Sequence, residues 1–150
     1  MQLTGKHTVD ATPEDVWKLL MDPDTLAKIA PGIDKLILVE EDTYDAIADV
    51  KIGPVRGSFS GKVAIIDKKR PESFVLDVDQ KSKIGNAKAQ IAILLDSVGE
   101  CTQVSFDGKV KMSGLLARTG QRVIGGVAKM LSKQFFEALS EELKSSSNTL

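Results

Sequence analysis

Apolar and polar side chains alternate with a period of two along most of residues 2–112. Helical spacing appears in two short segments after residue 11 and again near the C-terminus. A strand turns successive side chains to opposite faces, whereas a helix gathers positions three and four apart. Residues 2–10 therefore predict a first strand with Leu3, Gly5, His7 and Val9 on one face. "ATPEDVWKLLMD" predicts a helix: Thr12 caps it, Pro13 suits its first position, and Asp15 stands where a capping box places an acid. Val16, Trp17, Leu19 and Leu20 form its apolar stripe. Asp22-Pro23 breaks this helix and starts a second, carrying Leu26 and Ile29, which Pro31-Gly32 ends.

Further strands are predicted at residues 33–40, 43–51, 56–69, 73–83, 87–96 and 101–112. Polar and glycine-containing turns separate them, the pattern of consecutive antiparallel hairpins. A last helix runs from about 119 to 143, roughly 38 Å at 1.5 Å per residue. Its predicted apolar side is Val123, Val127, Met130, Leu131, Phe135, Leu139 and Leu143. A sheet of this size twists and curls, and its apolar face needs a cover. Only the long helix is large enough. The expected fold is α+β, a helix-grip: a curved seven-stranded antiparallel sheet wrapped around the C-terminal helix, with two short helices between strands 1 and 2. It forms one domain over residues 1–144, followed by a flexible tail at 145–150.

The stretch "GPVRGSFSGKVAII" sharpens this picture, because it places Gly57 and Gly61 beside Phe59 on the face that should fill a core. The third strand points Tyr44, Ala46 and Ala48 inward, the fifth Phe74 and Leu76, the sixth Ala87, Ala89 and Ile91, and the seventh Phe106 and Gly108. Small residues thus recur across four neighbouring strands, and the covering helix is thin near its start at Gly125, Gly126 and Ala128. Interiors are normally packed to crystal density. Two readings fit. Glycines mark bulges and bends where a sheet wraps a helix, or the inner face lines a cavity. A cavity here would be apolar, suited to a hydrophobic ligand oriented by a few polar groups at its mouth. On that reading leucine at both Gly57 and Gly61 would close the space with only moderate loss of stability.

Composition narrows the function classes. Twenty Lys and Arg against 21 Asp and Glu leave no electrostatic case for nucleic acid or an anionic membrane. A single cysteine, Cys101, excludes an internal disulfide framework and a multi-cysteine metal site. The N-terminus lacks the basic and apolar regions of a signal peptide, and no apolar run approaches the ~20 residues of a membrane span, so a cytoplasmic location is expected.

Catalytic chemistry finds little support. The sole histidine, His7, reads as a partly buried side chain with a structural hydrogen bond rather than a base. Cys101 reads as an ordinary strand residue. Asp77, Asp79 and Asp107 alternate outward with lysines. "GQRVIGG" lacks the context of a phosphate loop. Arg56 and Arg118 lie near element ends, where surface positions are the common case. No catalytic residue, required cofactor or metal ligand is expected. An enzyme would have to use His7 or Tyr44.

"ATPEDVWKLLMDPDTLAKIAPG" resembles the opening of the START-like (SRPBCC) helix-grip superfamily. "KIGPVRGSFSGKV" followed by "MSGLLARTGQRVIGGVAKML" resembles more narrowly the CoxG family, named for the G subunit of carbon monoxide dehydrogenase. The likeness runs through Gly53, Pro54, Gly57, Phe59 and Gly61, and through Gly114, Leu116, Ala117 and Gly120. The resemblance implies a deep hydrophobic cavity between sheet and helix, with no enzymatic activity of its own. It implies an accessory role beside a molybdenum-containing dehydrogenase of the carbon monoxide dehydrogenase type, in membrane recruitment or in handling a lipophilic electron carrier. The implied ligand is a quinone or lipid, the implied partners are dehydrogenase subunits, and transient contact at the inner face of the membrane is implied as well. Many members carry a membrane-seeking extension, whereas this sequence ends at "KSSSNTL". The expected lining is Tyr44, Ala46, Ala48, Gly57, Phe59, Gly61, Phe74, Leu76, Ala89, Ile91, Phe106, Gly108, Val123, Val127, Met130 and Leu131. The other readings are a helix-grip enzyme of the cyclase or hydrolase type, and an assembly factor with a filled interior.

Overall fold

A computed structural model describes residues 1–147, so part of the expected tail, residues 148–150, lies outside the described residues. The chain opens with β1 (Gln2–Val9), α1 (Pro13–Leu20) and α2 (Pro23–Ile29). A meander follows: β2 (Ile33–Glu40), β3 (Thr43–Ile52), β4 (Val55–Lys69), β5 (Ser73–Ser82), β6 (Gly85–Val98) and β7 (Cys101–Met112). A short α3 (Gly114–Arg118) and the long α4 (Gln121–Ser147) close it. All seven strands form one antiparallel sheet in the order β1-β7-β6-β5-β4-β3-β2. Consecutive strands pair throughout β2–β7, and the first strand joins at the end of the last.

The helix starts follow local chemistry. The Thr12 hydroxyl accepts from the Asp15 backbone N–H at 3.3 Å, and Pro13 fills the first turn. Asp22 caps α2 in the same way, and its carboxylate accepts the Thr25 hydroxyl at 2.8 Å. The final helix differs from expectation at both ends. Residues 114–118 form a separate turn of helix, broken from α4 at Gly120, whose φ is 97°. At the other end α4 continues to Ser147.

The concave face carries two apolar clusters. The larger joins Val9, Val104, Ile93, Leu95, Phe74, Ile65 and Tyr44 of the sheet to Trp17 and Leu20 of α1 and to Phe136, Leu139 and Leu143 of α4. The smaller gathers Val55, Phe59, Leu116 and Ile124 where α3 and the start of α4 meet the sheet. The helix face is rotated from the expected one. Ile124 and Phe136 are buried, whereas Val123 and Met130 stand 37% and 48% exposed. Where two apolar residues are adjacent, the crossing of helix over sheet decides which faces inward.

Candidate functional site

Strand parity places the inner residues where alternation predicts, but they do not form one uniform lining. Tyr44, Ala46, Phe59 and Phe74 are buried in packed protein, and the Phe74 ring meets Trp17 edge to face at 5.7 Å. The Tyr44 hydroxyl is held neutral, its pKa raised by burial and by the nearby Asp42 and Asp22 carboxylates. These four residues are core. Ala48 and Val127 flank the smaller cluster, and Leu76, Ile91 and Phe106 flank the larger. Val123 and Met130, expected to line a cavity, lie on the outer side of α4 instead.

The glycines divide as well. A Cβ on Gly61 would fall 1.9 Å from the Asp79 carbonyl oxygen, and one on Gly108 would fall 2.8 Å from the Gln90 carbonyl oxygen. At both positions a neighbouring backbone already occupies the side-chain space, so these glycines serve close strand approach. Gly57 is different: a Cβ there would meet the end of the Ile84 side chain at an ordinary 3.4 Å.

Between the two clusters lies a band that neither includes. Val63, Val78, Ala89 and Val110 face one another in register across β4, β5, β6 and β7. With Leu131 of α4 they remain half-buried although they point beneath the helix. Side chains that face inward and still present accessible surface mark incomplete packing. The concave side is therefore incompletely covered across this band.

One polar residue that the expected lining lacks stands in this band. Gln80 sits opposite Gly61 on one side and Ala87 on the other, with the parity of Phe74, Leu76 and Val78. Its amide nitrogen is shut off from solvent and has no hydrogen-bond partner among the described residues. The same alternation that identified Phe74 and Leu76 signals it: continuing the count through Val78 turns a glutamine inward. A buried amide left unpaired costs about 1–3 kcal/mol. Gln80→Leu is accordingly expected to raise stability by about 1 kcal/mol, read as an increase of about 2–4 °C in Tm. An unchanged or lower Tm would show the amide to be satisfied in solution.

A cleft of about 830 Å³ opens between β1 and the first half of α4. Leu3, Gly5, His7 and Phe106 form its sheet wall, and Gly125, Ala128 and Ser132 its helix wall. Of the expected lining, only Phe106 belongs to it. The His7 ring stacks on Phe136 at a centroid separation of 4.1 Å and an interplanar angle of 17°. The hydrogen bond expected for His7 is replaced by this stack: its ring nitrogens have no partner among the described residues. Burial lowers its pKa, which favours the neutral imidazole at pH 7.

The other candidate groups make local contacts. Cys101 Sγ lies 3.6 Å from an Asp10 carboxylate oxygen, and burial together with that carboxylate raises its pKa, away from thiolate. Arg56 turns its Nε–H onto the Gly53 carbonyl at 3.2 Å, a local turn contact. Among the described residues no group of three or more His, Cys, Asp or Glu is placed to hold a metal ion. Among the same residues no helix is long and apolar enough to cross a membrane.

Solved structures share this architecture over nearly the whole chain. A conserved protein from Geobacillus kaustophilus is 33% identical, with a TM-score of 0.94 and 97% of each chain covered. A START superfamily protein from Mycobacterium smegmatis is 11% identical, with a TM-score of 0.77 over 96% of this chain and 97% of its own. The Zhui aromatase/cyclase from Streptomyces sp. R1128 is 15% identical, with a TM-score of 0.75 over 99% and 96%. The last two likenesses speak for the helix-grip fold alone. No curated protein matches the chain. The family that matches does so over residues 5–144, and by that match the chain belongs to the CoxG family, that of the carbon monoxide dehydrogenase G subunit.

Proposed function

We propose that this protein binds a hydrophobic small molecule, a quinone or a lipid, between its sheet and long helix without transforming it. In this reading it is an accessory protein of a carbon monoxide dehydrogenase-type molybdenum enzyme, acting in membrane recruitment or in the handling of an electron carrier. Its partners are dehydrogenase subunits and, transiently, the inner face of the membrane, and it works from the cytoplasm. Family membership supports the association with the dehydrogenase system.

The observation that carries the binding reading is the loosely packed band. Val63, Val78, Ala89, Val110 and Leu131 offer apolar surface that the protein's own side chains leave partly uncovered. Removing ligand surface from water into such a space yields about 25 cal/mol per Å². Gln80 supplies a polar group within the apolar surroundings, the usual composition of a small-molecule site. Of the two groups an enzyme of this chain would use, Tyr44 is locked in the core at 2% exposure. His7 lacks an orienting partner.

Native mass spectrometry of the purified protein tests the proposal by asking whether a lipophilic compound copurifies. Ala89→Leu adds volume to the middle of the band. It is expected to weaken binding of the copurifying compound by about tenfold or more, equivalent to about 1.4 kcal/mol, while Tm changes by only a few degrees. Full retention of the compound by this variant would remove the band from the binding site.

A further inference from the structure

The cleft between β1 and α4 has a second feature, in its rings. His7 and Phe106 both line it, with centroids 6.4 Å apart and planes within 10° of parallel. Phe136 lies behind them, within 13° of the Phe106 plane and 17° of the His7 plane. Three side chains from β1, β7 and α4 therefore share nearly one orientation. Gly5 makes this arrangement possible: a Cβ there would fall 2.4 Å from Cζ of Phe106, so the glycine lets that ring lie against the β1 backbone. The facing helix wall is short, built of Gly125, Ala128 and Ser132. Parallel rings on one wall and small residues on the other leave a slot shaped for a flat body, and aromatic pairs favour offset stacking at such separations.

The polar content of the slot is specific. The His7 ring nitrogens have no partner among the described residues, so a neutral imidazole there presents one donor and one acceptor. Lys6, Lys129 and Lys133 stand around the cleft, and no carboxylate belongs to its lining.

We infer that the β1–α4 cleft seats a flat ring bearing a carbonyl or hydroxyl group, stacked beside Phe106 and His7 and hydrogen-bonded to the His7 imidazole. This rests on the ligand-binding reading above and assigns where the ligand's ring lies and what selects it. His7 is a specificity-determining residue: it separates an oxygen-bearing ring from a hydrocarbon of the same shape.

The test is a titration of the intact protein with two probes of like shape, 2-methyl-1,4-naphthoquinone and 2-methylnaphthalene. The wild type is expected to bind the quinone about tenfold or more tightly than the hydrocarbon, the size of one good hydrogen bond in a dry site. His7→Phe keeps a ring in the stack and is expected to abolish that preference while hydrocarbon binding persists. Ala128→Leu narrows the slot from the other wall and is expected to weaken both probes. An unchanged preference in His7→Phe, or undiminished binding in Ala128→Leu, overturns the seat. If the copurifying compound is lost in Ala89→Leu yet kept in both slot variants, the band is the site and this inference alone fails. If the wild type binds neither probe and carries no lipophile, both readings fall.

Discussion

Gly61→Ala is expected to destabilise the protein by about 3 kcal/mol or more, although it adds a single methyl group. The new carbon would stand 1.9 Å from the Asp79 carbonyl oxygen, well inside contact distance, and the obstacle is the backbone of a paired strand. Relief requires β4 and β5 to separate around residues 60–62, where they pair in continuous register. Gly57→Ala, four residues earlier on the same face, meets only the tip of Ile84 at 3.4 Å and is expected to change stability by less than about 1 kcal/mol. Urea denaturation of the two variants side by side measures the contrast. Equal, small effects would mean that the close strand approach is not present in solution. The expectation that leucine at both positions would close a cavity at moderate cost is thereby corrected. At Gly61 the added side chain would break the sheet before it could fill any space.

The second large effect concerns the orientation of α4. Leu139 has no exposed surface and sits in the larger cluster, so Leu139→Ala is expected to cost about 2–5 kcal/mol through lost burial and the cavity left behind. Met130→Ala removes a side chain of similar size that is 48% exposed, and is expected to cost less than about 1 kcal/mol. The apolar periodicity of the sequence treats both as members of one stripe. Similar losses at the two positions would restore that stripe and place Met130 beneath the helix. A large loss at Leu139 alone supports the rotation that buries Ile124 and Phe136.

The same contrasts change the picture of the site. A run of small inner residues suggested a single broad hollow, yet Gly61 and Gly108 are small because neighbouring strands approach them. Ala89 and Leu131 lie half-buried in the band, whereas Tyr44, Ala46, Phe59 and Phe74 are buried in packed protein. The clearest polar feature of the interior, Gln80, is absent from the expected lining because a glutamine near a strand end ordinarily faces solvent. The stack of His7 on Phe136 joins side chains 129 residues apart, the difference of their positions, and no spacing rule links them.

What the sequence by itself determined is the order of the strands, the two short helices and the long helix, and the inward face of the first strand and of strands 3–7. Both follow from local rules: turn residues end strands, and a period of exactly two leaves no choice of face once one residue is buried. Tertiary structure alone decided which side of α4 is covered, because Val123 with Ile124, and Phe135 with Phe136, offer apolar neighbours about 100° apart and only the crossing over the sheet selects between them. It also decided which glycines are crowded and where the packing loosens, since both depend on how near another segment of chain comes.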